Sequence, residues 1–172
     1  MKTLSLGSGF DERDENTTTL DIAPETKPDV VWNLNEFPYP FEDDSFDQIQ
    51  MYDVIEHIDN VIDVMNECYR ILKKGGKFHI TTPHFSSANS YTDPTHQHHL
   101  GYYSFDFFDP SHERFYYSKA RFSVEQRYLY FDRRKSIKKI LEKWANKNPW
   151  NYEQKWCWIF PACYLDFKLK KV

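Results

Sequence analysis

The sequence predicts an α/β protein of three layers, built on a mostly parallel seven-stranded sheet with an antiparallel last strand and shortened helices over its front half. Three observations predict it. Residues 41–49, Phe-Glu-Asp-Asp-Ser-Phe-Asp-Gln-Ile, are an acidic turn feeding an apolar strand, and a helical run and the Gly75-Gly76 turn lead from there into a second strand. Strand, helix and strand in that order make a βαβ unit, which requires parallel strands. Short β-rich segments bounded by Gly and Pro come before this unit, and two alternating segments come after it.

Each element has its own reason. Residues 2–6 read as a strand stopped by Gly7. Residues 17–22 are rich in β-branched side chains and form a second strand, and residues 29–34 a third. Phe37-Pro38-Tyr39-Pro40 is a stiff extended link, because each proline fixes its own φ and restrains its neighbour. Residues 46–52 are the fourth strand. Asp59 or Asn60 caps a helix over 61–72, with Val61, Val64, Met65, Cys68 and Leu72 on one face. Residues 77–82 follow as a fifth strand. Residues 84–118, crowded with Tyr, Phe and His, read as a long lid with short helical turns. Phe122, Val124, Tyr128 and Tyr130 alternate as a sixth strand. Ser136 caps a helix carrying Ile137, Ile140, Leu141 and Trp144 and ending before Pro149. Leu165, Phe167 and Leu169 mark a last strand that is wet on one side. The aromatics at Trp150, Tyr152, Trp156 and Trp158 are expected in the core.

At 172 residues the chain has the size of one domain. Residues 1–83 form the sheet's first half, 84–118 the lid, and 119–172 the closing strands and helix. A 40% hydrophobic content supplies a core, which argues against disorder. No apolar run approaches the ~20 residues of a membrane span, and the first residues do not read as a signal peptide. Three cysteines, Cys68, Cys157 and Cys163, without metal spacing, suit reduced thiols and a cytoplasmic location. The net charge is −4, but residues 1–86 carry 7 basic and 17 acidic side chains and residues 87–172 carry 15 and 9. The acidic half suits a cationic ligand; the basic half suits an anionic one or balances the first.

In doubly wound sheets, ligands bind beyond the carboxyl ends of the strands. Leu6-Gly7-Ser8-Gly9, Asp21-Ile22, Asn33-Leu34 and Tyr52-Asp53 should meet there. Glycines after the first strand let the backbone approach a ligand closely. Asp21 can accept both hydroxyls of a ribose, Asn33 can bond an adenine edge, and Ile22 and Leu34 can sandwich its ring. The order and spacing of these residues, with the acidic and Gly-Gly turns, carry more weight than any one of them.

Residues 3–83 resemble the small "type 11" methyltransferases of class I, a Rossmann-like family. Leu4-Ser5-Leu6-Gly7-Ser8-Gly9 matches the first motif and Asp21 the ribose carboxylate. Residues 41–49, Val54-Ile55-Glu56-His57 and residues 70–76 match the segments around strands four and five. Tyr91-Thr92-Asp93-Pro94-Thr95-His96 and Phe160-Pro161-Ala162 also look like segments of this group. The chain departs from the pattern at Asp11, where a third glycine is usual, at Asn33, where many relatives carry Asp, and at Asp53, where His is frequent. Residues 7–16 and 23–28 are short for crossover helices.

The resemblance implies S-adenosylmethionine as cofactor and methyl transfer to an oxygen or nitrogen, with a small molecule or saccharide as acceptor. The alternative is a non-catalytic subunit supporting a partner. The short front implies an open cofactor side, closed by acceptor, partner protein or second copy. Asp93 and His96 are the candidate catalytic pair, since His removes protons near neutral pH. The bland reading has Asp93 capping a turn and His96 packing beneath the lid. His57 is expected to bond backbone. His84, His96, His98, His99 and His112 follow no zinc spacing, so no metal is expected. The basic cluster Arg133, Arg134, Lys135, Lys138 and Lys139 reads as solvated surface ahead of nucleic-acid binding.

Overall fold

The structure is a computed structural model that describes residues 1–10, 14–131 and 136–172. Asp11 and Arg133 to Lys135 lie outside the described residues, as do the side chains of Ser136, Ile137 and Lys138. The expected cap at Ser136 therefore lies outside the described residues.

One sheet joins all seven strands. They are β1 (Thr3–Leu6), β2 (Thr17–Asp21), β3 (Val30–Val31), β4 (Phe46–Tyr52), β5 (Leu72–Pro83), β6 (Phe122–Tyr130) and β7 (Tyr164–Lys171). Their order is β3-β2-β1-β4-β5-β7-β6. β1 pairs in parallel with both β2 and β4, and β4 with β5. β7 is antiparallel to both of its neighbours, β5 and β6. The chain reverses strand order between β1 and β4, so the carboxyl ends of β1, β2 and β4 border the crevice where such sheets bind ligands.

The two faces of the sheet differ in chemistry. Leu4, Leu6, Ile49, Met51, Phe78 and Ile80 point to one face and are fully buried or nearly so. This face is the core, and α1 (Val61–Ile71) covers it with Val64, Met65, Cys68 and Ile71. The alternate positions, Thr3, Ser5, Thr19, Gln48, Gln50 and His79, are polar. Among the described residues before β3, the only helical turn is the 3-10 turn Pro24–Thr26. Of these polar residues, Thr3, Ser5 and Thr19 are nonetheless buried, and Gln48, Gln50 and His79 are half-buried.

Several expected boundaries shift. β3 spans two residues, not six: its ladder pairs Val30 and Val31 with Leu20 and Asp21, and beyond it one bond runs from the Trp32 N–H to Asp21 O. β2 likewise stops before Ile22. β5 starts at Leu72 and runs through the Gly-Gly turn: Phe46 pairs with Leu72 and Gln48 with Lys77, so residues 73–76 bulge outward between two ladder pairs. The late helix α3 (Ser136–Lys147) ends before Pro149 as expected, and a further helix, α4 (Pro149–Lys155), follows it, since proline suits a first helical position. Ile140, expected on the apolar face of α3, is exposed, while Ala145 is buried. Of the four late aromatics only Tyr152 is in the core; Trp150, Trp156 and Trp158 are exposed. Tyr152 faces Phe131 and Trp144 and leaves the outer side of α4 to solvent. The lid contains a short helix, α2 (Asn89–Thr92), and 3-10 turns at Asp106–Phe108 and Phe115–Tyr117.

No helix among the described residues is long and apolar enough to cross a membrane.

Candidate functional site

The turn after β1 is built around two left-handed glycines, Gly7 at φ 63° and Gly9 at φ 51°. A Cβ on Gly7 would collide with the Val54 side chain, so only glycine allows the turn to pack against the segment after β4. A Cβ on Gly9 would meet nothing within 4 Å, so that backbone borders open space. Between them, Ser8 is buried, and its Oγ has no hydrogen-bond partner among the described residues.

Asp21 ties this turn to the end of β2. Its Oδ2 accepts the Gly9 N–H at 2.8 Å and its Oδ1 the Ala23 N–H at 2.9 Å. Each carboxylate oxygen has a second lone pair, so two acceptor positions remain. The Gly7 N–H donates to Leu20 O at 2.8 Å and completes the link between the two strand ends.

The other expected residues sit around this turn in different ways. Leu6 is buried as the last residue of β1. Ile22 is exposed, 63% of its surface being open to solvent, and is free to cover a ring. Asn33 uses its Oδ1 to accept the Asn35 N–H at 3.0 Å, leaving the amide NH2 for a ligand edge. Leu34 is buried and packs with the core, and its carbonyl accepts the Tyr39 hydroxyl at 2.9 Å. Burial pushes that tyrosine's pKa far up, so it stays a donor. The Tyr39 N–H in turn donates to Glu67, which Arg70 holds. Tyr52 pairs its hydroxyl with His79 Nδ1 at 2.8 Å, and His79 Nε2 lies 3.1 Å from Asp166. Asp53 is exposed in the left-handed region at φ 54°, and its N–H donates to Thr81 O.

The lid crosses the carboxyl ends of β4 and β5. Asp93 caps a turn: it accepts the Thr95 N–H at 2.9 Å and the Thr95 hydroxyl at 2.6 Å, and the hydroxyl bond holds its carboxyl below the usual range. His96 lies beneath the lid with its Nε2 4.0 Å from Glu56 Oε1. Glu56 is 1% exposed, and burial pushes its carboxyl pKa up. His57 Nδ1 meets the Thr95 hydroxyl at 2.8 Å, not the backbone acceptor expected of it. Glu56 is not among the residues predicted from the sequence, although its place directly after β4 and beside a histidine is a local signal. A separate cavity of about 370 Å³ opens between the start of α1 and the lid, lined by Val61, Ile62, Phe107, Phe108 and Tyr117 with two serines.

Comparisons with known proteins agree with this architecture. Residues 10–80 match a family model described as a methyltransferase domain. A probable S-adenosylmethionine-dependent methyltransferase of Mycolicibacterium smegmatis is 41% identical over 51 residues, which are 30% of this chain and 19% of that protein. The chain thus spans about a fifth of that relative's length. Among solved structures, an S-adenosylmethionine-dependent methyltransferase of Archaeoglobus fulgidus aligns over 99% of this chain and 86% of its own, with a TM-score of 0.69 and 19% identity. One of Mesorhizobium loti aligns over 99% and 90%, with a TM-score of 0.65 and 13% identity. The methyltransferase of a Haloferax volcanii complex with a methyltransferase activator aligns over 99% and 81%, with a TM-score of 0.62 and 15% identity. Residues 10–80 are thus similar in sequence to a methyltransferase domain, and the chain as a whole shares its fold with S-adenosylmethionine-dependent methyltransferases of known structure.

Proposed function

We propose that the protein binds S-adenosylmethionine at the Gly7–Gly9 turn and transfers its methyl group to an oxygen or nitrogen acceptor, on a small molecule or saccharide. The observation that carries this reading is the carboxylate of Asp21, held by two backbone N–H groups beside the left-handed Gly-Ser-Gly turn at the crevice. The residues fit the cofactor. Gly9 borders open space, the Ser8 hydroxyl is buried without a partner among the described residues, and Asp21 keeps two acceptor positions for ribose hydroxyls. Ile22 would lie against the adenine, and the Asn33 amide would donate to its edge. Tyr52 and Asp53 would border the far end, at the edge of β4. Leu34 acts through the core behind the ring.

The cofactor supplies an electrophilic methyl on a sulfonium. The chain's part is to align it with the acceptor, since proximity and orientation account for about 7–11 kcal/mol of such barriers. The acidic first half favours the cation. Asp93 would act on the site through Thr95, as a positioning residue, and His96 would act from beside Glu56, 4.0 Å away.

Calorimetric titration of S-adenosylmethionine and its demethylated product tests the reading. The wild type is expected to bind both at micromolar Kd, and Asp21→Ala to lose at least tenfold with an unchanged far-UV spectrum. Absence of binding to the folded wild type would remove the proposal. A second reading, a subunit supporting a partner, is favoured by the reduced front layer. It predicts cofactor binding without turnover and stable co-purification with a larger protein.

A further inference from the structure

We propose that Glu56, His57 and His96 form a binding site for a divalent transition-metal cation at the carboxyl edge of β4. Their ligand atoms all lie within 4.8 Å of one another, and the two imidazole rings stand edge to face at 4.5 Å. The residues come from two segments that the fold brings together. Glu56 and His57 sit in the 3-10 turn Ile55–His57 after β4, and His96 comes from the lid. The Gln97 N–H donates to Glu56 O at 2.8 Å and the His98 N–H to the same oxygen at 3.1 Å, which fixes the lid against that turn.

Proton accounting shows what the cluster lacks. The Thr95 hydroxyl has one proton, and Asp93 takes it at 2.6 Å. The hydroxyl oxygen must therefore accept from His57 Nδ1–H, which leaves His57 Nε2 with a lone pair. His96 Nδ1 lies 3.3 Å from Ser90 O, which only accepts. His96 thus carries its proton on Nδ1 and a lone pair on Nε2. Glu56 Oε2 accepts the Thr82 hydroxyl at 3.0 Å, and its buried Oε1 has no partner among the described residues. The His96 Nε2 lone pair thus lies 4.0 Å from the unpartnered Glu56 Oε1, and a ring nitrogen of His57 lies within 4.8 Å of both. The 4.0 Å from Oε1 to His96 Nε2 is too long for a direct hydrogen bond. A bridging cation satisfies all three acceptors.

The surroundings are those of metal ligands. Each imidazole donates its other ring N–H, to a threonine hydroxyl held by a carboxylate or to a backbone carbonyl, as ligating histidines commonly do. Two imidazoles and one carboxylate suit zinc, cobalt, iron or manganese better than magnesium or calcium, and they leave coordination positions for an oxygen ligand. The site departs from the sequence expectation of no metal, because residues 56–57 and 96 share no spacing pattern and meet only through the fold of the lid. It also assigns Asp93 a function: it orients His57 through Thr95.

The test uses the full chain made without a histidine tag, stripped by chelation and titrated with Co2+ in the absence of S-adenosylmethionine. The expected result is one equivalent bound at micromolar Kd, with visible d–d absorption, displaced by Zn2+. Glu56→Gln and His96→Ala are each expected to weaken binding at least tenfold, and His112→Ala to leave it unchanged. Circular dichroism checks folding. Should Glu56→Gln not fold, half-buried His57→Ala gives the same reading. No saturable binding by folded wild type would overturn the site, as would equal binding by the folded ligand variants. Because Co2+ is read without the cofactor, failure of the cofactor reading leaves this result interpretable.

Discussion

Gly7 shows how one residue determines the local shape of the site. Its left-handed φ of 63° strains any L side chain, and a Cβ would run into Val54. Gly7→Ala should therefore lower stability by about 2–4 kcal/mol, combining left-handed strain with overpacking. Urea denaturation measures it. A loss below 0.5 kcal/mol would mean that the turn and Val54 shift apart freely. Gly9 shares the conformation but borders open space, so its glycine serves access more than packing. The glycines and Asp21 were legible in the sequence, because turn residues and strand ends have local signatures. Which partners they take was not: Asp21 holds the N–H groups of Gly9 and Ala23, and this depends on how two strands lie side by side.

At the scale of the element, α1 joins core, linker and lid. Asn60 caps it by accepting the Ile62 N–H, as the sequence indicated. Of the expected face, Val64, Met65 and Cys68 are buried, Val61 is half-buried and Leu72 begins β5, while Ile71 and Glu67 are buried beside them. Its polar residues do something that periodicity does not reveal. Glu67 accepts the Tyr39 N–H and pairs with Arg70, which clamps the proline-rich linker to the helix. Asn66 Oδ1 accepts from Lys119 N, Ala120 N and the Ser118 hydroxyl at 2.8–2.9 Å, and so anchors the end of the lid. Asn66→Ala removes one acceptor from three donors. It should cost about 2–3 kcal/mol, and hydrogen exchange should accelerate through residues 115–122 while β1 and β4 stay protected. Unchanged exchange there would show that the lid is anchored elsewhere. The end of α3 before Pro149 was legible from the proline, but the shortening of β3 and the existence of α4 were not, because each depends on a neighbour's length or packing more than on local propensity.

Across the whole molecule, the sheet order and the contrast between its faces decide which strand ends the lid crosses. One face is closed by α1 over an apolar core; the other carries Thr, Ser, Gln and His and has a reduced helical layer. Binding at the crevice would stabilise the whole fold by mass action. S-adenosylmethionine at 100 times its Kd should add about 2.7 kcal/mol, raising Tm by roughly 5–10 °C for a chain of this size. Differential scanning calorimetry measures the shift. An unchanged Tm at saturating cofactor would contradict binding to the folded state.

The sequence by itself determined the order of strands and helices, the antiparallel last strand, the Gly-Ser-Gly turn and the carboxylate after β2. These rest on periodicity, turn chemistry and spacing, all of which are local. Only the tertiary structure decided that Trp150, Trp156 and Trp158 lie outside the core, and that Glu56 and His57 meet His96. Helical spacing cannot say which side of α4 is covered, since that depends on where α3 and Phe131 sit. The three acceptors come from positions about 40 residues apart. They converge because the lid's backbone bonds to the turn after β4, a long-range contact with no local signature.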